Sequence, residues 1–344
     1  MKVSVIIPTY NRAKLVCATI DSVLAQSYRD FEIIVVDDGS TDDTPTALAR
    51  YGDRIASVRQ ENGGVNNARN HALQLATGEY IATLDNDDLW HRDKLALQVE
   101  LLERHPDVAY LYSNFSLYRS ADDIRPNGLK NWYGRDRDWN TLFPESQPLG
   151  TLDGNYPGSV PAEALVYFGD IHAASLTEYF VLPSSALIRR SALPDTIRFI
   201  EHDPICGDWD FFARLSKGRK IAFIDFDTTF NRSHDDGLRL TRTSRKRQMT
   251  FRIDMVERLY RADAGFYQNN QAQVDSVYRE RLLALALLQL LDDEAIAARS
   301  TLNKARLCKK SVDPTYRLLQ LGVRLPGTGT LLRTARGLRR RTSI

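Results

Sequence analysis

The chain has 344 residues, 43% hydrophobic and 26% charged, with a net charge of +2. That is an ordinary globular composition, long enough for one large domain with an appendage or for two domains. The near-neutral balance gives no electrostatic case for nucleic acid as a partner. Three scattered cysteines, Cys17, Cys206 and Cys308, form no CxxC pair; they argue against a disulfide framework or a zinc knuckle and fit a reducing compartment.

The first apolar run, Val3 to Ile7, stops at Pro8 and is too short for a signal-peptide core. No stretch approaches the roughly 20 apolar residues that span a bilayer. The expectation is a cytoplasmic protein, peripheral on the inner face of a membrane at most. "VSVIIPTY" then reads as a buried strand, continuous and β-branched. "RAKLVCATIDSVLAQ" has helical spacing, with Leu15, Ile20, Val23 and Leu24 on one face. "FEIIVVDDGS" is a second buried strand, and "STDDTPTALARY" opens a helix with Ser40 or Thr41 as candidate cap. A short strand "IASVRQ", a helix "NNARNHALQLA", a strand "EYIATLDND", a helix "HRDKLALQVELLERHP" and a strand "VAYLYSNFSLY" follow. This alternation predicts an α/β fold, a mostly parallel sheet flanked by helices. Ligands of such sheets bind beyond the carboxyl ends of the strands. Pro8-Thr9-Tyr10, Asp37-Asp38 and Asp85-Asn86-Asp87 all fall at those ends.

From 121 to 170 the alternation fails, and Pro, Gly, Asn, Trp and Tyr dominate. A loop of that length is usually functional or mobile, so it reads as an insertion near the site. "FVLPSSALIRRSAL" returns as a strand and turn, "CGDWDFFARLSKG" as a helix start and "KIAFIDFDTTFNRSH" as a strand. Residues 1–240 are therefore expected to form the α/β domain, and 241–344 a helical C-terminal region. That region should contain a hairpin broken near Asp292-Asp293 and end in a basic tail.

"IATLDNDDLW" places Asp85, Asp87 and Asp88 within four residues. Asp87 or Asp88 would cap the following helix, or Asp87, alone or with Asp85, would hold a hard cation, Mg²⁺ or Mn²⁺, whose remaining sites take water and phosphate. Asp37 and Asp38 stand on the same rim, where a carboxylate can accept the N–H of a base or a ribose hydroxyl. Gly63-Gly64 permits close approach of backbone to a ligand. Arg69 would reach a phosphate or base oxygen, or be a surface ion pair. Taken alone, Asp208 reads as a helix cap, Trp209 as core and Ser184 as a strand-end turn. No HExxH zinc helix or GxSxG elbow occurs.

These segments resemble, in order and spacing, the family 2 inverting glycosyltransferases of the GT-A (Rossmann-like) fold. The likeness is carried by "VSVIIPTYNR", "SVLAQSYRDFEIIVVDDGSTDDT", "NGGVNNARNHAL", "GEYIATLDNDD", "CGDWDFFARL" and "NRSH". It covers residues 1 to 120 strongly and 175 to 240 less so. The resemblance implies transfer of a sugar from a nucleotide-sugar donor, a UDP-sugar, to a glycan, lipid-linked or protein-linked acceptor. It implies that Pro8, Thr9, Tyr10 and Arg12 line the nucleotide pocket, Tyr10 by stacking, with Asp38 on the base and Arg69 on the base edge or a phosphate. Gly64, Asp85 and Asn86 would complete the donor site. Asp87 would be the metal ligand, with His234 near the metal and diphosphate, and Asp208 the catalytic base. Trp209 and Ser184 would be acceptor contacts. The family's usual Glu before that Asp is replaced here by Gly207. A non-catalytic glycan-binding protein of the same fold and a sugar nucleotidyltransferase are the rival readings. The latter is expected to carry a Gly-rich, basic phosphate loop, which "PTYNRAKL" lacks. Pro314 to Ile344 holds seven Arg and no Asp or Glu, either a solvated end or a contact for an anionic membrane surface; without interleaved aromatics it is a poor nucleic-acid site.

Overall fold

The structure, a computed structural model, describes residues 3–134, 136–201, 206–232, 245–308 and 314–323. His234 and the basic tail lie outside them. The chain divides into two compact units, Met1–Leu238 and Arg239–Ile344.

In the first unit, strands β1 (Val3–Thr9), β2 (Phe31–Asp37), β3 (Ala56–Arg59) and β4 (Tyr80–Thr83) run parallel in the order β3-β2-β1-β4. Alternate side chains of β1 and β2 enter two separate cores. Val3, Val5, Ile7, Ile33 and Val35 pack with Val16, Ile20 and Val23 of α1 (Ala13–Leu24) and Leu95 of α4 (Lys94–Arg104). Ile6, Ile34 and Val36 join Ala68 and Ala72 of α3 (Val65–Leu75) and Phe211 and Phe212 of α6 (Gly207–Ser216). Burial on both faces is why these strands read as unbroken apolar runs. The short α2 (Thr44–Ala49) follows β2; Asp43 holds its N-cap position, whereas Ser40 and Thr41 lie upstream in the loop.

The next strand of the alternation is β6 (Val108–Ser120). Antiparallel β10 (Ala186–Arg189) stands between β4 and β6, pairing Leu187 with Ala82 on one side and Leu111 on the other. Because β10 is antiparallel, its leading turn Pro183–Ser185 sits at the carboxyl end of β4, where Thr83 Oγ1 donates to the Pro183 carbonyl at 2.5 Å. Long β11 (Lys220–Arg232) runs parallel to β6 and also pairs with the two-residue β5 (Leu89–Trp90). The 121–170 segment is not an open loop. It forms β7 (Asp123–Arg125), α5 (Gly128–Tyr133), β8 (Glu145–Pro148) and β9 (Leu165–Gly169), the last two extending the sheet beyond β11.

The second unit is helical, with α7 (Arg245–Val256), α8 (Ala264–Leu291), α9 (Ala295–Cys308) and α10 (Pro314–Gly322). The α8–α9 hairpin turns at Asp292-Asp293, with Asp293 at φ +61°. Among the described residues no helix is long and apolar enough to cross a membrane.

Candidate active site

The parallel half of the sheet delivers its strand ends to one rim. Pro8 is buried in β1, while Tyr10, just beyond it, is 37% exposed. Asp38 donates its backbone N–H to the Thr9 carbonyl at 2.8 Å. Its buried carboxylate accepts from Gln60 Nε2 (2.7 Å), Gly63 N (2.9 Å) and Gly64 N (2.8 Å). Asp38 therefore holds the Gly63-Gly64 turn in place. Gly64 needs its lack of a side chain there, since it starts α3 at φ +87°.

From α3, Arg69 reaches back toward the loop after β4. Its guanidinium is buried and donates to Asp85 Oδ1 at 2.6 Å and Asn66 Oδ1 at 3.1 Å, with its Cζ 5.2 Å from the Phe199 ring centroid. Burial opposes its charge, but the Asp85 and Asp208 carboxylates outweigh burial and raise its pKa. Burial raises the pKa of Asp85; Arg69 opposes the rise, and Asp87 and Asp208 add to it. Asp85, Arg69 and Asp208 thus share one electrostatic site although they come from three distant segments.

The three acids of the loop separate into different environments. Asp87 keeps 21% of its side chain exposed, and its Oδ2 lies 3.8 Å from the Arg12 guanidinium. Asn86 beside it is half-buried. Asp88 is fully buried and accepts from Ser184 Oγ (2.5 Å), Asn231 Nδ2 (3.0 Å) and the Arg232 N–H (3.1 Å). The expected helix cap is thus corrected: α4 begins at Lys94, with Asp93 in the cap position. Asp88 instead ties the loop to the end of β11. Burial, then Asp87 and Asp85, push its pKa well up.

Ser184 is also buried, and its hydroxyl accepts from the Asp85 N–H at 3.0 Å while donating to Asp88. It supports the acid loop from behind. Trp209 is 5% exposed and donates its indole N–H to the Ser175 carbonyl at 2.8 Å, which makes it core and no open platform. Asp208, half-buried near the start of α6, accepts from its neighbour's Trp209 N–H and from the Tyr179 hydroxyl, both at 2.8 Å. Burial, then Asp208, hold the Tyr179 phenol well above its usual pKa, so it stays a donor. Each Asp208 oxygen has a further lone pair for a substrate hydroxyl.

The missing acid at Gly207 has a steric counterpart. A Cβ at 207 would stand 2.2 Å from Asn66 Nδ2. That amide donates to the Ile200 carbonyl at 2.8 Å, and its oxygen holds Arg69. Tyr179 and Asn66 are the site residues that sequence reasoning missed; Asn66 lay within "NGGVNNARN", and Tyr179 had no local signal.

No three His, Cys, Asp or Glu side chains come together as a metal cage among the described residues. Asp87 nevertheless fits the carboxylate share of a Mg²⁺ or Mn²⁺ site whose other ligands are water and phosphate oxygens.

The chain is similar to known proteins. The glycosyl transferase family 2 model matches residues 4–195, more than half of the 344 residues. An uncharacterized glycosyltransferase of Rickettsia typhi is 45% identical over 102 residues, 30% of this chain and 32% of that protein. The Escherichia coli UDP-Glc:alpha-D-GlcNAc-diphosphoundecaprenol beta-1,3-glucosyltransferase WfgD is 38% identical over 117 residues, 33% of this chain and 46% of that one. The matched regions thus span a third to a half of those relatives. The crystal structure of Staphylococcus aureus TarS 1-349 in complex with UDP-GlcNAc superposes with a TM-score of 0.54 at 19% identity, covering 94% of this chain and 92% of that one; the likeness there is one of GT-A fold. With strand ends, acid loop and α3 all inside the matched span, the chain belongs to glycosyl transferase family 2.

Proposed function

We propose that the chain is an inverting glycosyltransferase that moves a sugar from a UDP-sugar to a hydroxyl of a glycan carried on a lipid. The observation that carries this reading is the shared site of Asp85, Arg69 and Asp208 at the strand ends. Asp208 takes the proton of the acceptor hydroxyl as that oxygen bonds to the anomeric carbon. The bond from that carbon to the diphosphate oxygen breaks on the opposite face, and its electron pair leaves with UDP. Arg69 orients Asp85 toward the donor, and Asp38 fixes the Gly63-Gly64 turn against which the nucleotide lies, with Tyr10 stacking on the base. A divalent cation held by Asp87 and the diphosphate oxygens would stabilise the leaving group. Trp209 and Ser184 position neighbouring residues and do not contact the acceptor.

The names of WfgD and of the TarS complex support a UDP donor, and WfgD's name supports a lipid-diphosphate acceptor. The arginine-rich segment at 324–344 suits an anionic membrane surface; liposome binding that persists after removal of 327–344 would refute that contact. The test of the reaction is UDP release from a panel of UDP-sugars with Mn²⁺. Asp208→Asn should lower it about a hundredfold or more, as loss of general base catalysis does. Equal turnover in wild type and variant sinks the assignment.

A further inference from the structure

The groups described so far account for the donor and leave the acceptor sugar without a surface. An aromatic column supplies one. Trp132, on α5 in the 121–170 segment, is 39% exposed. Its ring stacks on Tyr179 with centroids 5.7 Å apart and planes 18° apart, and meets Phe115 at 4.6 Å and 58°. Tyr179 in turn donates to Asp208 Oδ2. One tyrosine therefore separates an exposed indole from the proposed base.

Trp132 is held there by the sheet. The Asn127 N–H donates to Asp227 Oδ2 on β11 at 2.9 Å, and the Leu129 N–H to Asn114 Oδ1 on β6 at 3.3 Å. Leu129 is fully buried one turn before Trp132. Gly128 lies so close to Phe115 that a Cβ would stand 2.1 Å from its ring. A scattered surface aromatic needs no explanation; one whose helix is fastened at both strands and aligned with a carboxylate does.

We propose that Trp132 is the platform for the acceptor, and that the acceptor is a pyranose whose apolar face lies on the indole, beside the Tyr179–Asp208 pair. The C–H bonds on one face of a pyranose are weakly positive, and an aromatic face carries negative charge density. The ring hydroxyls, which point outward around the edge, remain solvated. This rests on the reading of Asp208 as the base and adds the surface that selects what reaches it.

The full chain, with UDP and Mn²⁺, is titrated with methyl β-D-glucopyranoside, methyl β-D-galactopyranoside and methyl N-acetyl-β-D-glucosaminide. Saturation-transfer NMR reads which sugar protons touch the protein. At least one glycoside should bind through the C–H protons of one face. Trp132→Ala should weaken it roughly tenfold, and Trp132→Tyr should stay within about threefold of wild type. Absence of binding by all three, or equal affinity for wild type and Trp132→Ala, overturns the platform. A failure of Asp208→Asn to lower UDP release overturns the base reading instead, so the two are separable.

Discussion

Asn66 and Gly207 make one packing unit from opposite ends of the first domain. The Asn66 amide fills the space a side chain at 207 would take, 2.2 Å from the place of its Cβ. Gly207→Ala should therefore cost stability, although alanine improves a helix by about 1 kcal/mol over glycine. Overpacking a tight site costs about 1–3 kcal/mol, so the clash wins. In an Asn66→Ser background the clash is gone and the same change should be neutral or stabilising. A double-mutant cycle by urea unfolding reads the coupling; equal effects in both backgrounds would refute it. This pair shows what was legible at residue scale. The departure at 207 is visible in "CGDWD", because it interrupts a familiar run. Its counterpart is not, because a contact between residues 66 and 207 leaves no local spacing. The hydroxyl of Tyr179 on Asp208 is hidden for the same reason. Trp209 and Ser184 had two readings each that only their hydrogen-bond partners separate.

At the scale of elements, α4 carries an unusual support for the acid loop. Lys94, fully buried at its start, meets Gln98 Oε1 at 2.5 Å, the Ala186 carbonyl at 3.5 Å and the Trp90 ring at 4.4 Å. Gln98 and Trp90 hold the carbonyls of Ser185 and Ser184, each by one hydrogen bond. Burial drives the Lys94 pKa well below the usual lysine range. The unfolded chain then binds that proton more tightly than the folded one. Stability should rise with pH from the depressed folded value toward about 10.4, by up to about 1.4 kcal/mol per pH unit. Lys94→Met removes the group, so wild type should gain stability over the variant as pH rises toward about 10, read from melting curves of the two. Parallel curves would show that Lys94 does not titrate there. The elements around it were legible to different degrees. Strands buried on both faces gave continuous apolar runs, so β1, β2, β4 and β6 stood out. β8 did not, because all four of its residues are exposed at the sheet edge and it ends in Pro148. β10 was readable as a strand, but its place between β4 and β6 depends on long-range pairing that no local pattern encodes.

For the molecule as a whole, the site's charge balance makes the proposed nucleotide and metal depend on each other. Asp85, Asp87, Asp88 and Asp208 are set against Arg69 and Arg12, and Asp85 and Asp88 already have raised pKa values, from burial first and then from neighbouring acids. A diphosphate approaching alone meets the partly exposed Asp85, Asp87 and Asp208 with no cation between. A cation approaching alone finds Asp87 and Asp85 with side chains 21% and 29% exposed, each already beside an arginine. Each ligand supplies what the other lacks, so each should raise the other's affinity by the same factor. Thermal unfolding of the full chain with Mn²⁺ alone, or UDP alone, should move little. Both together should stabilise by about 2.7 kcal/mol at a hundredfold excess over Kd. Asp87→Asn should lose most of that joint shift while melting near wild type without ligands, because it weakens the 3.8 Å contact with Arg12 but relieves the repulsion on Asp85 and Asp88. If Mn²⁺ alone stabilised the chain as much as the pair does, the cation would have a site of its own, and Asp87 would not be where nucleotide and metal meet.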